Sequence, residues 1–486
     1  MAVPKFQLTA KYKPQMGDFL VLPYRNRKKA CFPGALLPAA IRRVASAARE
    51  AGGVKTVFSG KIGAALISAR TVRLDAEHST PLVEAKKMVS TALADAKKEN
   101  AKRVVAFFSS NLTDLIAGAH EGALLGGYSF DRYLSKKPRP IPVHLATDSK
   151  DLATLRADLA SRTTLFECVN FARDVLNEPP NVIKPPSLAD AFKETGRASG
   201  LKITVWDEKR LEQENCGGIV AVGQGAKAKP RLVIGEYAPA GAKKHLCLVG
   251  KGVTFDTGGY GLKPSDAQVG MKYDMGGAAM VFGAACAIAR LKLPIRITVI
   301  TPLVENAVSG ESYYTTSIIK TRAGHTTEVQ HTDAEGRLIL TDALTIAGEG
   351  KPDWIVDAAT LTGACVAALG QDIAGVYGTD STFTRMLIDA GAKEGELFWE
   401  LPLHMPYDEQ LKTTAADCKN IGGKYAGSIT AALFLKRWVR KGAKWIHCDI
   451  AGPGTKEDPM GHLGKGAKGF GVKSLAALAQ TLADKK

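Results

Sequence analysis

Long hydrophobic runs are missing from this sequence. None approaches the ~18 residues that a membrane span requires, and Met1 to Leu20 holds no contiguous apolar region of the signal-peptide kind. A cytoplasmic protein with no membrane partner is the expectation. Paired cysteines are missing as well: the eight cysteines, from Cys31 to Cys448, form no Cys-x-x-Cys pair and mostly sit inside apolar runs, as in Leu246-Cys247-Leu248 and Ala285-Cys286-Ala287. They read as reduced core residues, and neither a cysteine zinc site nor a cysteine nucleophile has a pattern to support it. Internal repeats and low-complexity segments are absent, which sets aside fibrous and disordered readings. Acidic residues are scarce at the start, where the first fifty residues carry ten Lys and Arg against Asp18 and Glu50 only. Mitochondrial transit peptides share that bias, but Pro4, Pro14, Pro23 and Pro33 interrupt the long amphipathic helix such a peptide uses.

What is there suffices for two or three domains: 486 residues of ordinary globular composition. The formal net charge of +17 is unevenly placed. Residues 1–150 hold 25 Lys and Arg against 11 Asp and Glu, and the remainder holds 40 against 37. A basic N-terminal domain can bind nucleic acid or another polyanion. No aromatic-interleaved basic motif accompanies the charge, so solvation of a lysine-rich surface is the favoured account.

In those first 150 residues, Phe19 to Pro23, Val54 to Phe58, Val104 to Phe108 and Ile141 to Leu145 are predicted strands, and Leu36 to Ala51, Leu82 to Lys98 and Leu112 to Leu125 predicted helices. Such alternation implies a small α/β domain with a largely parallel sheet. No Gly-x-Gly-x-x-Gly follows any of these strands, which argues against a dinucleotide site. Residues 151–178 have the apolar spacing of one long helix, stopped by Pro179 and Pro180. The expected division is therefore a basic α/β domain at 1–160, a linker helix with its Pro-rich connection at 161–186, and a larger domain at 187–486. In the larger domain, strands are predicted at Lys202 to Trp206, Ile219 to Val222, Arg231 to Tyr237, Leu246 to Val249, Ile295 to Pro302, Trp354 to Ala358, Ile373 to Tyr377 and Trp445 to Ile450. Helices are predicted at Ala278 to Arg290, Leu338 to Ala347, Thr384 to Ala390, Ile429 to Arg440 and Val472 to Leu482. The fold class expected is α/β with two domains, the second built on a mixed sheet covered by helices on both faces.

Two stretches concentrate charge where strands and helices meet. One runs from Lys251 through Asp256, Gly258, Gly259 and Lys263 to Asp274, Gly276 and Gly277; the other is His331-Thr332-Asp333-Ala334-Glu335-Gly336-Arg337-Leu338. Asp256, Asp274, Asp333 and Glu335 form a carboxylate set that two divalent metals would satisfy, since hard oxygen ligands stabilise such ions and a pair can activate one water. Asp333 and Glu335 are two apart, which on an extended segment points both to one face. A solvated acidic loop is the competing account, and the neighbouring glycines weigh against it because they permit close backbone approach to a ligand.

The octapeptide resembles the signature Asn-Thr-Asp-Ala-Glu-Gly-Arg-Leu of the leucyl aminopeptidase (cytosol aminopeptidase) family of two-metal exopeptidases, and Val249 to Gly277 is similar to that family's other metal-binding block. Asn177-Glu178-Pro179-Pro180-Asn181, the run Ala358 to Ala364, Asp417 to Phe434 and Asp449-Ile450-Ala451-Gly452 resemble further family segments. The resemblance covers about residues 165–480. It implies one metal held by Lys251, Asp256, Asp274 and Glu335 and another by Asp256, Asp333 and Glu335, with Lys251 ligating as a neutral amine. Histidine is absent from that set, so zinc binds but manganese, cobalt or magnesium competes.

The activity implied is hydrolysis of an N-terminal peptide bond in peptides with a free amine. Lys263 would stabilise the oxyanion, and Arg337 would hold a bicarbonate that shuttles the proton; both could instead be countercharges to the carboxylates. Met271, Thr360, Gly363 and Ala451 match the family's first side-chain pocket, which should accept Leu or Met. A homohexamer is also implied. The family's leading Asn is His331 here, beside the place expected for the leaving residue, and Pro453-Gly454-Thr455 departs from the usual continuation after Gly452. A polyanion-binding role for the basic domain and a cysteinylglycine-type dipeptidase are the alternatives.

Overall fold

The computed structural model describes residues 81–109 and 113–485 and, of the first eighty, 4–9, 11–13, 15–25, 29–30, 39, 41, 55–62 and 65–73. The helix expected at Leu36 to Ala51 falls almost wholly outside the described residues. The chain forms two compact units, residues 1–166 with 458–465, and residues 167–457 with 466–486.

The first unit contains β1 (Phe6–Thr9), β2 (Asp18–Arg25), β3 (Lys29–Ala30), β4 (Lys55–Ile62), β5 (Ala65–Arg73), β6 (Arg103–Phe108) and β7 (Val143–Thr147). They order as β1-β7-β6-β2-β5-β4, parallel except where β4 joins β5 and β3 joins β2. The helices Pro81–Lys98 and Thr113–Leu124 pack together, and Leu93 and Ile116 share one apolar cluster with Phe19, Val104 and Phe108. Alternation between short apolar strands, buried almost throughout, and amphipathic helices made this layer readable. The long helix runs Leu152–Asn177 and stops before Pro179.

The second unit is built on a sheet ordered β17-β16-β19-β15-β10-β12-β9-β8, with β11 paired to β12. Its strands are β8 (Lys202–Trp206), β9 (Arg231–Tyr237), β10 (His245–Gly250), β11 (Gly252–Asp256), β12 (Arg296–Asn306), β15 (Trp354–Ala359), β16 (Ile373–Gly378), β17 (Leu397–Glu400) and β19 (Lys444–Asp449). A small separate sheet joins β13 (Ile318–Lys320), β14 (Thr326–Glu328) and β18 (Cys418–Lys419). Alternate side chains of β10 face opposite ways, as a pleated strand requires. Cys247 and Val249 share a core with Leu338 to Ala347 of helix Glu335–Glu349, whereas a Cβ at Gly250 would press on Val281 and Ala278 of helix Gly276–Arg290. Helices therefore cover both faces.

The central strands β10, β11, β12, β15 and β19 run parallel to one another, so all end at one edge. Asp256, Asn306, Thr360 and Asp449 lie at or just past those ends, and Lys251 directly follows β10. Ligands of open α/β sheets gather at this edge because loops, not side chains packed between layers, close it.

One predicted strand is a helix. Ile219 to Val222 belongs to helix Gly217–Gly223, because two features outweigh its β-branched residues. Gly217 and Gly218 press against the Lys320 and Leu338 carbonyls with no room for a Cβ, and buried Asp342 accepts the N–H of Ile219 at 3.0 Å. Its other oxygen accepts the N–H of Arg322 at 2.8 Å. The helix expected at Ile429 to Arg440 runs Gly427–Lys436, since Arg437 and Trp438 turn back onto Phe434 and Leu435 by tighter bonds. Asp342→Ala leaves one buried and one partly buried N–H group without acceptors, at about 1–3 kcal/mol for the buried one. The urea midpoint of the second unit should fall accordingly, and a variant as stable as the parent would show that the Asp342 cap is dispensable.

Candidate metal centre and substrate pocket

At the carboxyl edge, the oxygens of Asp256, Asp333 and Glu335 come within 4.8 Å of one another. The two residues of the octapeptide do not reach the site from an extended segment. Asp333 sits in a turn closed by the Ala334 N–H donating to the His331 carbonyl, and Glu335 opens helix Glu335–Glu349. A Cβ at Gly336 would lie 2.5 Å from Lys251 Cε, and one at Gly277 would lie 2.0 Å from the Ala358 carbonyl oxygen. The close approach that the glycines permit is thus between parts of the protein: a helix start against the Lys251 side chain, and a helix against β15.

Asp274 is brought in by the turn Met271–Tyr273, just before helix Gly276–Arg290. Its Oδ1 accepts the Lys251 ammonium at 2.8 Å and the Thr360 hydroxyl at 2.7 Å. Lys251 Nζ also donates to Glu335 Oε1 at 2.9 Å and to the Thr360 carbonyl at 2.8 Å. Lys263, on the loop after β11, bridges the other half of the cluster, pairing with Asp256 Oδ2 at 2.9 Å and with Asp333. Asp256 Oδ1 accepts the Gly258 N–H and the Asn306 amide, each at 2.8 Å.

Electrostatics follows from this packing. Burial alone would push the Lys251 amine down, but Asp274, Glu335 and Asp256 outweigh it and hold the ammonium above its ordinary value. Lys263 is raised in the same way, burial opposing and Asp256 and Asp333 prevailing. Burial, then repulsion from neighbouring carboxylates, raises Asp274 and Glu335, and lifts Asp333 to about 6. Burial lowers Arg337 to about 10 against the pull of Glu335 and Asp449, so it stays cationic at neutral pH.

The residues fit divalent cations on an observation of their own. Asp274 Oδ2 and Glu335 Oε2 are buried acceptors with no donor. Orphaned carboxylate oxygens in a dry cluster are unfavourable unless a cation reaches them. Arg337 also keeps one buried donor, Nε–H, without an acceptor, while its Nη1 donates to the Asn420 carbonyl at 2.8 Å.

Sequence reasoning missed the residues that hold these loops. The Asn306 amide also donates to the Thr332 carbonyl at 3.2 Å, and Tyr313 donates to the same oxygen at 2.6 Å. The Thr332 hydroxyl donates to Gly258 O and accepts from Gly261 N, each at 2.7 Å, so the two charged stretches are tied together. Asn420 Oδ1 accepts from Gln330 N at 2.8 Å, and its amide donates to His331 O at 2.8 Å. Nothing in single polar residues at strand ends or in loops announces such long-range bonds. His331 itself is exposed, its Nδ1 accepting the Asp333 N–H at 3.1 Å.

The four pocket candidates stand on three segments. Met271 lies on its turn, Thr360 and Gly363 on the loop and helix Gly363–Leu369 after β15, and Ala451 on the short helix Ala451–Thr455 after β19, which packs against both of the others. Thr360 and Ala451 are buried, Met271 is half-buried and Gly363 is exposed.

Comparison with known proteins gives concordant results. Residues 170–476 match the cytosol aminopeptidase family, catalytic domain. A probable cytosol aminopeptidase of Geobacter sulfurreducens is 43% identical over 365 residues, 74% of this chain and 73% of that one. Its counterpart in Syntrophotalea carbinolica is 43% identical over 376 residues, 76% of each. The solved structure of the bottromycin maturation enzyme BotP in complex with Mn superposes with a TM-score of 0.83 at 30% identity, covering 96% of this chain and all of that one.

Because Asp333 titrates near 6, a metal entering the cluster must displace its proton at about pH 5.5 but not at about pH 7.5. Manganese titrated calorimetrically into chelated protein should therefore bind more weakly at the lower pH and release more protons there than at the higher pH. Equal proton release at both pH values would remove Asp333 from the binding set.

Proposed function

The chain belongs to the cytosol aminopeptidase family and is an aminopeptidase, and from that membership we propose a two-metal exopeptidase that removes leucine and similar apolar residues from peptides with a free N-terminus. The observation that carries the proposal is the convergence of Asp256, Asp333 and Glu335 within 4.8 Å, beside the donorless Asp274 Oδ2 and Glu335 Oε2. Lys251, Asp256, Asp274 and Glu335 would hold one divalent ion, and Asp256, Asp333 and Glu335 the other. Such ions, when bound, supply the charge that acidifies a water and polarises a peptide carbonyl. The donor set is rich in oxygen, with one amine and no imidazole or thiolate. It suits zinc or manganese and accepts cobalt or magnesium.

The chain's own groups divide the remaining work. Lys251 ligates only as the free amine, so it gives up the proton that it now shares with Asp274 and Glu335. Lys263 is held by its carboxylate neighbours Asp256 and Asp333; its ammonium, raised and retained, would stabilise negative charge growing on the scissile carbonyl oxygen. Arg337 keeps its charge, and the Nε–H that lacks an acceptor suits a planar anion such as bicarbonate, which would supply a proton acceptor. Met271, Thr360, Gly363 and Ala451 would receive the N-terminal side chain, and His331, exposed beside Asp333, would face the leaving portion. A cytoplasmic homohexamer is the assembly proposed, on the family resemblance.

The proposal is tested with leucine anilide and N-acetyl-leucine anilide on protein that has been chelated and then given manganese, cobalt or zinc. Hydrolysis restored by metal and confined to the free amine is expected; a folded, metal-loaded protein that cleaves neither substrate overturns it. Asp333→Ala should abolish metal-dependent hydrolysis while the fold survives, and full activity would sink the two-metal assignment. Lys263→Ala should lower kcat by about 100 to 1,000-fold with a smaller change in KM. A change confined to KM would reduce Lys263 to a binding group.

A further inference from the structure

Asp449 closes β19 with a side chain that is 0% exposed and accepts five hydrogen bonds. Its Oδ1 takes the backbone N–H groups of Leu361 at 3.2 Å, Thr362 at 3.4 Å and Ala451 at 3.2 Å. Its Oδ2 takes the hydroxyls of Thr362 at 2.6 Å and Ser428 at 3.3 Å. A carboxylate accepts on both oxygens, so both can face donors, the longer bonds to Oδ1 sharing its lone pairs; an amide would turn an NH2 toward one group of donors.

The donors come from three segments. One is the turn 360–363 after β15, one is the start of helix Ala451–Thr455, and one is the start of helix Gly427–Lys436. β15 and β19 are parallel neighbours with Ala359 opposite Asp449, so the first two segments leave the sheet side by side with this carboxylate between them. The hydroxyl directions are set as well. Thr362 Oγ1 accepts the Cys365 N–H at 3.0 Å and so has its own proton left for Asp449, while Ser428 Oγ accepts from Tyr377 at 2.7 Å. At its other end the turn is pinned by Thr360, whose hydroxyl reaches Asp274 Oδ1. The turn is therefore strung between a carboxylate of the charged cluster and a second one that is outside it.

We propose that Asp449 is a positioning residue for side-chain selectivity: it fixes the gap between the 360–363 turn and Ala451, and with it the width of the pocket that receives the substrate's N-terminal side chain, without touching substrate. This inference rests on the assignment of Thr360, Gly363 and Ala451 to that pocket. Both walls hang from one side chain, so loosening it lets them drift together. A pocket that discriminates among apolar side chains by a methylene or two depends on that spacing.

The test uses metal-loaded full-length protein and compares leucine with alanine anilide in the parent, Asp449→Asn, Thr362→Val and Thr362→Ser. Metal content and the melting temperature are read in parallel. The leucine-to-alanine ratio of kcat/KM should fall about tenfold in Asp449→Asn and Thr362→Val, chiefly through the KM for leucine, with metal content unchanged. Thr362→Ser keeps the hydroxyl and should restore the ratio. A ratio that stays at the parent value, or equal losses on both substrates, overturns the inference and leaves Asp449 a stabilising residue. If Asp449→Asn does not fold, the Thr362→Val and Thr362→Ser pair decides. A parent protein that prefers neither substrate, or cleaves neither with any metal, overturns the pocket assignment itself and is seen before any variant is compared.

Discussion

Negative charge buried at the carboxyl edge of the large sheet is the constraint to which the rest of the second unit answers. Asp256, Asp274 and Glu335 are buried and Asp333 is partly so. Unpaired carboxylates in such a place would cost several kcal/mol each. Two ammonium groups meet them, Lys251 at the Asp274 and Glu335 end and Lys263 at the Asp256 and Asp333 end. The backbone contributes too, since Glu335 occupies the first turn of its helix, where a negative side chain is favoured. Packing yields to the same demand. Gly336 has no side chain because the Lys251 stem fills its space.

The sheet supplies the rigid frame, and uncharged polar residues transmit it to the loops. Parallel strands bring Asp256, Asn306, Thr360 and Asp449 to one edge, but the segments that carry Lys263, Asp333 and Ala451 are fixed by side chain to backbone bonds. Asn306 and Thr332 join the two charged stretches; Asn420 holds the turn before Asp333 and the Arg337 guanidinium. These bonds pair buried and partly buried polar groups, so precision at the site and stability of the edge have one origin.

That division explains what the sequence made legible. Strands β10, β15 and β19 and helices Gly276–Arg290 and Glu335–Glu349 are dense apolar runs with clear ends, and the carboxylates next to them stand out by residue type. Ile219 to Val222 misled because a short β-branched run carries no period of its own, and its helix is stabilised by Asp342, more than a hundred residues away in the chain. The turn at Asp333 misled for a related reason: spacing two apart identifies a shared face only after the backbone conformation is known. Nothing in the sequence singles out Asn306, and Asn420 and Asp449 enter only as members of segments resembling the family; their roles are not legible because they consist of partners distant in sequence.

The charge balance also orders the roles of the two lysines. Lys251 has carboxylate partners on one side and the Thr360 carbonyl on the other, 3% exposed, and nowhere to swing without breaking a buried pair. Lys263 is more exposed, with 16% of its side chain open, on a loop whose neighbours Leu262 and Tyr260 face solvent. Divalent ions that neutralised the carboxylates would remove the reason for both ammonium groups to remain paired. For Lys251, hemmed in, the available response is to lose its proton and stay; for Lys263, on the open side, it is to keep its proton and turn toward an incoming anion. The same four carboxylates thereby make one lysine a candidate ligand and the other a candidate electrophile, a difference that arises from burial and not from residue type.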